Sequence, residues 1–267
     1  MLRREFLSVL GAGVVSLSLR AGSEDGFESL FDGRTLAGWH KPRAKMRHGN
    51  GGNWTVEWDG VLAGEQDPPG SGNGGILLSD QKFGDFELEL EMNPDWGPDT
   101  GVFFRCTENG DGFQMYVDYH DGGNVGHLRG EMPGAFAMKP FQIFAQLDTQ
   151  GRPKSFTTKP DPRAAKWPPG VYEYSCAQEQ WVKAWRVGEW NRAKIRCVGK
   201  YPQITTWIND LKVCHFNGET CPLPEYDREK VYSILGREGS IGLQVHQGKS
   251  WPEGAKCRWR NIRIKRL

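Results

Sequence analysis

Apolar and polar side chains alternate along most of the chain with a period of two residues. The clearest case is the stretch FELELEM at residues 86–92, where glutamates separate apolar side chains. A period of two places successive side chains on opposite faces of a β-strand, one toward a core and one toward water. Similar short stretches predict strands at residues 54–58, 61–63, 76–78, 101–106, 113–120, 126–129, 193–198, 203–208, 211–216, 240–246 and 256–265.

Tight-turn signals separate several of the predicted strands. Asp59-Gly60 joins the first two as a hairpin, and Asn209-Asp210 joins two later ones. Gly, Asn and Asp tolerate the left-handed backbone that short hairpin turns require. We see no convincing amphipathic helix, apart from weak candidates within residues 135–187. Many short antiparallel strands at this spacing predict an all-β fold, a two-sheet antiparallel jelly-roll sandwich.

Residues 131–188 break the alternating pattern. This segment is rich in proline, lysine and aromatic residues and has no long run of period two. We therefore predict a long irregular insertion in the sandwich. It is either an extended surface segment or a set of loops that wall a cleft, because long ordered loops on a sandwich often carry binding residues.

The N-terminal residues have the order of an export signal. Arg3 and Arg4 precede an apolar run at residues 6–19, which is too short to span a bilayer, and small residues follow at 21–23. This order is typical of a twin-arginine signal, and the alternative is an ordinary helical N-terminus. We expect residues 1–23 to be the signal, residues 24–267 to form one domain, and the protein to be periplasmic or extracellular. We expect no membrane span.

Composition narrows the class of partner. The chain has 34 Lys and Arg against 33 Asp and Glu, so it lacks the basic field that nucleic acid or an anionic membrane would require. Its 11 tryptophans could stack on sugar rings, although such plates more often belong to a core. Its six cysteines permit disulfides in an exported protein, and Cys214 and Cys221 lie close in sequence. The cysteines show no CxxC or Cys/His spacing of a metal site.

An ordered set of short motifs runs through the chain. The set comprises FESLFDGRTLAGW at 27–39, FGDFEL at 83–88, TGVFFR at 100–105, GEWN at 188–191, GSIGLQVH at 239–246 and RNIRI at 260–264. Together these motifs resemble the 3-keto-disaccharide hydrolase-like family over about residues 27–266, with a poor match at 131–188. The resemblance implies a concanavalin A-like lectin/glucanase fold and cleavage of glycosides already oxidised to a ketone at sugar C3. It also implies a carbohydrate partner and an upstream sugar oxidoreductase.

Such a reaction sets clear chemical requirements. A C3 ketone acidifies the C2 hydrogen, so a base can remove it, the aglycone leaves C1, and water adds to the resulting double bond. The site needs a base with a pKa near neutrality, a cation or donors for the enolate oxygen, and an acid for the leaving group.

Polar faces of the predicted strands supply candidates for these roles. Alternation over 113–120 places Gln114, Tyr116, Asp118 and His120 on one face, and Gln244 and His246 project together from a later strand. If these strands share a sheet, their polar faces converge with Arg105 on one groove. We predict His246 or His120 as the base, Arg105 as the oxyanion holder, and Glu131 or Asp118 as acid or metal ligand. The predicted substrate-binding residues are Gln114, Tyr116, Arg129, Trp190, Gln244 and Asn261.

Some features leave alternatives open. Members of the family often carry an acidic residue and an amide where this chain has Gln114 and Tyr116, which implies a different specificity or no activity. The His, Asp and Glu side chains could hold a divalent cation, but no spacing demands one, and no cofactor is certain.

Two rival functions are compatible with the same pattern. A retaining glycosidase of the glucanase type would use Glu87, Glu89 and Glu91, whose alternate carboxylates could approach the separation of about 5–5.5 Å that retention requires. The same glutamates are equally typical of a solvated outer face. A lectin-like module would bind glycans through its tryptophans without chemistry.

Overall fold

We describe a computed structural model of the protein over residues 25–43, 46–132 and 135–267, so the predicted export signal lies outside the described residues. The chain forms the strands β1 (Glu28–Ser29), β2 (Trp39–His40), β3 (Asn53–Glu57), β4 (Val61–Glu65), β5 (Gly75–Phe83), β6 (Phe86–Met92), β7 (Gly101–Cys106), β8 (Gly112–Val117), β9 (Val125–Glu131), β10 (Phe136–Met138), β11 (Phe141–Leu147), β12 (Pro153–Pro160), β13 (Tyr174–Ser175), β14 (Asn191–Val198), β15 (Gln203–Ile208), β16 (Leu211–Asn217), β17 (Gly239–Val245) and β18 (Cys257–Arg266). The helices are α1 (Gln178–Ala184) and α2 (Arg228–Leu235).

The strands form two large antiparallel sheets. The nine-stranded sheet has the order β13-β16-β15-β14-β6-β18-β4-β3, with β1 also paired to β18. The seven-stranded sheet has the order β10-β9-β8-β7-β17-β5-β2, and β11 and β12 form a separate hairpin. The predicted all-β, two-sheet antiparallel jelly-roll sandwich is therefore confirmed.

The core lies between the inner faces of the two sheets. In β6 the apolar side chains are buried while the intervening glutamates are half-buried, as the alternation predicts. Phe113 and Met115 of β8 join Leu88 and Leu90 of β6 in one hydrophobic cluster. Fully burying a side chain of this size stabilises the fold by roughly 1.5–3 kcal/mol. Burial of one face of each strand thus fixes which polar side chains point outward.

The predicted hairpin turns are present. β3 pairs with β4 across a turn in which Asp59 has a φ of 59°, and β15 pairs with β16 across Asn209 and Asp210, with φ values of 47° and 70°. Asn and Asp tolerate this left-handed region better than other residues with a Cβ. The prediction of these two turns is confirmed.

The segment at 131–188 contains more regular structure than its sequence pattern indicates. It includes β10 to β13 and α1, and Trp181 of α1 packs edge-on against Phe156, with ring centroids 5.9 Å apart. Trp181 also stacks on Trp185, 5.5 Å away, and Trp185 contacts Tyr119 beyond the end of β8. These aromatic contacts join the segment to the main core.

Helix α2 is a feature that the alternating pattern does not predict. Its eight residues are too few to show a helical period. Asp227 caps it by accepting hydrogen bonds from the backbone N–H groups of Glu229 and Lys230, at 3.0 and 3.1 Å.

All six cysteines lie in the described residues and are free thiols, so Cys214 and Cys221 are not joined. Within the described ranges, we find no helix with the length and apolar character that crossing a bilayer requires.

Candidate active site

A polar cavity lies on the outer face of the seven-stranded sheet. Its volume is about 240 Å³, and we call it the site cavity. It contains every predicted site residue except Arg105, Trp190 and Asn261. Its lining residues are Asp99, Gln114, Tyr116, Asp118, His120, Arg129, Glu131, Lys139, Arg163, Gln244 and His246.

Strand register brings the floor of the site cavity together. Gln114 of β8 lies directly opposite Arg129 of β9, so both side chains share one face of the sheet. Gln114 Nε2 donates a hydrogen bond of 2.8 Å to Gln244 Oε1 on β17. β7 runs between these strands, and Gly101 leaves room there, since a Cβ at that position would collide with the Gln114 side chain. The predicted convergence of β8 and β17 is confirmed.

Two carboxylates and an imidazole cluster where the chain leaves β8. One ligand atom each from Asp99, Asp118 and His120 lies within 4.8 Å of the others. Asp118 is 5% exposed, and among the described atoms its Oδ1 has no hydrogen-bond partner. Burial and the neighbouring Asp99 raise the pKa of Asp118 well above its ordinary value. Without a cation, this side chain therefore holds its proton to a higher pH than an ordinary carboxyl does.

The same cluster fits a divalent cation. Carboxylate oxygens and an imidazole nitrogen suit several divalent metals. His120 Nδ1 lies 2.9 Å from the carbonyl oxygen of Asp121, which can only accept, so Nε2 of the neutral ring is left as the acceptor. Metal-binding histidines commonly have such a backbone partner. The unpartnered Oδ1 of Asp118 is the atom that a bound cation would satisfy.

Basic side chains also line the site cavity. Lys139 Nζ donates a 2.7 Å hydrogen bond to the carbonyl oxygen of Gly122, and burial lowers the pKa of Lys139. Arg129 forms an ion pair with Glu131, which fixes both side chains on β9. Negative charge that develops on a bound ligand would therefore meet fixed cations.

His246 follows β17 and has an unsatisfied ring nitrogen. Its Nδ1 is buried, and we find no hydrogen-bond partner for it within the described part of the chain. Gln66 Nε2 holds the backbone by donating a 3.0 Å hydrogen bond to the His246 carbonyl oxygen. An unpaired buried polar atom typically costs about 1–3 kcal/mol. A ligand that satisfies this ring would recover that energy.

The prediction that Arg105 lines this groove is wrong. Its φ of 47° interrupts the alternation of β7 and turns the side chain away from the outer face. Arg105 is 1% exposed, and its Nη2 donates to the carbonyl oxygens of Gly84 and Gly199 and to Asp85 Oδ1, at 3.1, 2.8 and 3.2 Å. Its N–H donors are therefore bonded inside the protein. Arg105 joins the turns at Gly84 and Gly199 and does not contact a ligand.

Trp190 and Asn261 also lie away from the site cavity, with the nine-stranded sheet. The guanidinium of Arg260 covers the Trp190 ring, 4.1 Å from its centroid. Asn261 Nδ2 donates a 3.0 Å hydrogen bond to Glu91 Oε2 on the outer face of that sheet. The structure therefore does not bring Trp190 and Asn261 to the site cavity with the other predicted substrate-binding residues.

The structure adds residues that the sequence did not indicate. Asp99 precedes β7 in a loop, and Lys139 and Arg163 belong to the irregular segment, where no period of two marks a face. His48 lies behind the cavity wall, with Nε2 3.1 Å from the Gly110 carbonyl oxygen. Burial lowers the pKa of His48. The one sequence signal for the residues of the irregular segment is the high content of Lys and Pro at 131–188, which is compatible with loops that wall a cleft.

The glutamates of β6 form a paired ladder. Glu87 lies 3.1 Å from Lys194, Glu89 2.7 Å from Arg263, and Glu91 2.6 Å from Arg260. All three face outward from the nine-stranded sheet, between β14 and β18. A glycosidase pair needs one carboxyl that can hold a proton. The cationic partner of each glutamate opposes this role, because it favours the ionised carboxylate.

Comparison with known proteins supports a likeness over nearly the whole chain. It is 28% identical to the 3-keto-disaccharide hydrolase of Bacteroides thetaiotaomicron over 284 aligned residues, covering 97% of this chain and 84% of that protein. A solved structure of a "putative glycosyl hydrolase" from Parabacteroides distasonis has a TM-score of 0.51 and 16% identity, covering 91% of this chain and 94% of that one. A Bacillus licheniformis β-glucanase has a TM-score of 0.43 and 11% identity, covering 90% and 97% of the two chains.

The first of the two solved structures supports the fold alone. The family match is the finding that identifies the chain, because it extends over residues 26–265. This range contains both sheets, the irregular segment and every residue of the site cavity. The protein therefore belongs to the family of 3-keto-α-glucoside-1,2-lyase-like domains.

Proposed function

We propose that the protein cleaves 3-keto-glycosides, and 3-keto-disaccharides in particular, by elimination followed by hydration. The family match and the Bacteroides relative named as a 3-keto-disaccharide hydrolase support the class of substrate. The observation that carries the proposal is one cavity that combines three kinds of group. They are an imidazole whose Nδ1 has no hydrogen-bond partner among the described residues, a carboxyl with a raised pKa, and basic side chains.

The reaction has two parts that balance. A base takes the C2 proton, and the C–H electron pair forms an enolate with the C3 carbonyl. The enolate collapses, a double bond forms between C1 and C2, and the C1–O bond to the aglycone breaks as an acid protonates the leaving oxygen. Water then adds its hydroxyl to C1 and a proton to C2, which gives the free 3-keto sugar.

The side chains of the cavity suit these steps. We assign the base to His246, whose ring lines the cavity and lacks an internal partner for Nδ1. Lys139 and Arg129 would stabilise the enolate oxygen, since cations preplaced in a partly dry site act strongly on developing charge. Asp118 would protonate the leaving oxygen, because burial and Asp99 raise its pKa and so favour the protonated form.

A divalent cation is compatible with this site. Asp99, Asp118 and His120 would hold it, and it would act as a Lewis acid toward the sugar carbonyl. In that case Asp118 is a ligand, and the acid is another group. Removal of cations with EDTA separates the two roles, since only the ligand role makes turnover depend on added metal.

A substrate panel tests the proposal. The purified protein is incubated with 3-keto-trehalose and a 3-keto-glucoside, each beside its unoxidised parent, in water and in D₂O, and the products are followed by NMR. We expect only the keto sugars to be cleaved, with deuterium incorporated at C2. Cleavage without deuterium at C2 would overturn the elimination step. Cleavage of the plain glycans would support a glucanase, and binding without turnover a lectin-like module.

Two further parts complete this proposal. The substrate requires an oxidoreductase that converts the C3 hydroxyl of a sugar to a ketone. The arginine pair before the short apolar run supports export by the twin-arginine route. Fractionation of cells that produce the full chain, beside a variant with Arg3 and Arg4 changed to lysine, tests export.

A further inference from the structure

The site cavity is small for a disaccharide. Pockets for drug-sized ligands are about 300–1,000 Å³, and the site cavity measures about 240 Å³. Its lining is almost entirely charged or polar, as the reacting sugar requires. If the proposed function is correct, one sugar ring occupies this space and the leaving group needs another place.

A second cavity of about 280 Å³ adjoins the first. Arg163 lines both cavities, so its side chain forms part of the wall between them. Ala137 of the second cavity pairs directly with Arg129 of the site cavity across β10 and β9. Directly paired residues share a face of a sheet. The two cavities are thus neighbours at the β10 edge of the sheet, where Phe136 and Leu223 also line the second cavity. Small side chains at Ala135 and Ala137 leave the space open.

The walls of the second cavity suit a sugar ring. Trp167 is half-buried and offers an aromatic plate, while Lys166 and Glu225 place a donor and an acceptor near it. A pyranose has an apolar C–H face and a rim of hydroxyls, which match a plate surrounded by polar groups. We call this space the Trp167 cavity.

Arg163 is held in a fixed position between the cavities. Its Nε and Nη2 donate to the two carboxylate oxygens of Asp161, at 3.0 and 2.8 Å. Asp161 is buried at 1% exposure, whereas the side chain of Arg163 is 57% exposed. The buried partner therefore anchors a guanidinium whose outer part faces solvent. A fixed donor at this point could contact the sugar on either side of the bond that breaks.

We propose that the Trp167 cavity is the subsite for the leaving sugar of a 3-keto-disaccharide. The assignment rests on the proposed function and adds the part of the molecule that selects the leaving group. The keto sugar occupies the site cavity, Arg163 lies beside the glycosidic bond, and the second ring packs on Trp167. Substrates without a second ring gain nothing from this cavity.

The test compares two substrates with the same keto sugar, 3-keto-trehalose and methyl 3-keto-α-glucoside. We expect Trp167→Ala to lower kcat/KM for the disaccharide by about tenfold, since an aromatic contact is worth up to about that factor. We expect the methyl glucoside to change less than twofold. Trp167→Phe should retain most of the disaccharide activity, and Trp58→Ala, at a 91% exposed tryptophan on the β3–β4 turn, should change neither.

A second variant guards against misfolding of the first. Ala137→Leu fills the Trp167 cavity without removing the plate, and it should also reduce turnover of the disaccharide selectively. An equal loss on both substrates, or no loss on either, would overturn the assignment. If the wild-type protein cleaves neither substrate, the proposed function fails. The subsite is then judged by saturation-transfer NMR with trehalose, where binding that is unaffected by either variant would overturn it.

Discussion

The outer faces of the two sheets carry similar residues in different states. On the nine-stranded sheet, Glu89 and Glu91 of β6 each meet an arginine of β18 at 2.7 and 2.6 Å, and their side chains reach solvent. On the seven-stranded sheet, Asp118 Oδ1 and His246 Nδ1 are buried, and neither has a hydrogen-bond partner among the described residues. Pairing, rather than composition, separates the two faces.

The difference has an energetic meaning. Exposed ion pairs contribute little, about 0–1 kcal/mol each, and they leave no atom unsatisfied. Buried polar atoms without partners cost the fold about 1–3 kcal/mol each. A fold that keeps such atoms in a cavity is prepared for a ligand that satisfies them. These buried atoms are the reason why we place the proposed reaction on the seven-stranded face.

Among the substitutions that test this difference between the two faces, that of His246 should have the largest effect, a loss of kcat. We expect His246→Ala to lower kcat for 3-keto-trehalose by about 10²–10⁴-fold, the usual contribution of a general base. The thermal unfolding temperature should stay close to that of the wild type, because the described residues give Nδ1 no hydrogen bond that the substitution would remove. Steady-state kinetics and calorimetry provide the two measurements.

The matched control is a histidine of the other sheet. His215 of β16 bonds Thr205 and lies 3.2 Å from Glu173, so its polar atoms are satisfied. His215→Ala should change kcat less than twofold. Equal activities of the His246 and His215 variants would exclude His246 as the base and direct attention to His120.

Substitution of Asp118 should have an intermediate effect, which is a change in the stability of the fold. Its pKa is raised in the folded state by burial and by Asp99, above the ordinary value of 3.8. Above pH 4 the unfolded chain loses this proton while the folded chain retains it or ionises at a cost, so the carboxyl destabilises the fold. In the presence of EDTA, Asp118→Asn should therefore stabilise the protein at pH 7 by about 1–3 kcal/mol. Urea unfolding across the pH range measures the difference.

The pH dependence distinguishes this cause from simple repacking. Below about pH 3.5 the carboxyl is protonated in both states, so the advantage of the amide should disappear. An advantage that persists unchanged at low pH would mean that ionisation is not its source. Addition of a divalent cation should reverse the order at pH 7 if Asp118 is a ligand, because only the carboxylate variant gains binding energy.

Local alternation was sufficient to predict the sandwich. β6 and β15 have the predicted bounds. In β6 the burial of one face in the core imposes a period of two. The faces of β8 and β17 were predictable for the same reason, which explains the prediction of Gln114 and Gln244. Asp118 and His246 each lie one residue beyond the end of these strands. Register and sheet order, which bring those faces together, depend on contacts distant in sequence.

The errors at the site have the same physical origin. Arg105 was misplaced because one left-handed residue at the end of β7 reverses the expected face. Lys139 and Arg163 were missed because they lie in connections whose path is set by packing of Trp181 and Trp185 against the core. Alternation describes strands only, and half of a cavity wall is made of connections.

Substitution of Glu89, on the nine-stranded face, should have the smallest effect, a slight loss of stability. Arg263 donates to Glu89 Oε2 from Nε and Nη2, at 3.1 and 2.7 Å, and the Arg263 side chain is 40% exposed. Because solvent and salt screen this pair, Glu89→Gln should lower the free energy of unfolding by less than about 1 kcal/mol. The loss should shrink further in 1 M salt, where charges are screened within about 3 Å. Turnover of 3-keto-trehalose should not change, and a hundredfold loss of kcat would instead place the chemistry on the nine-stranded face.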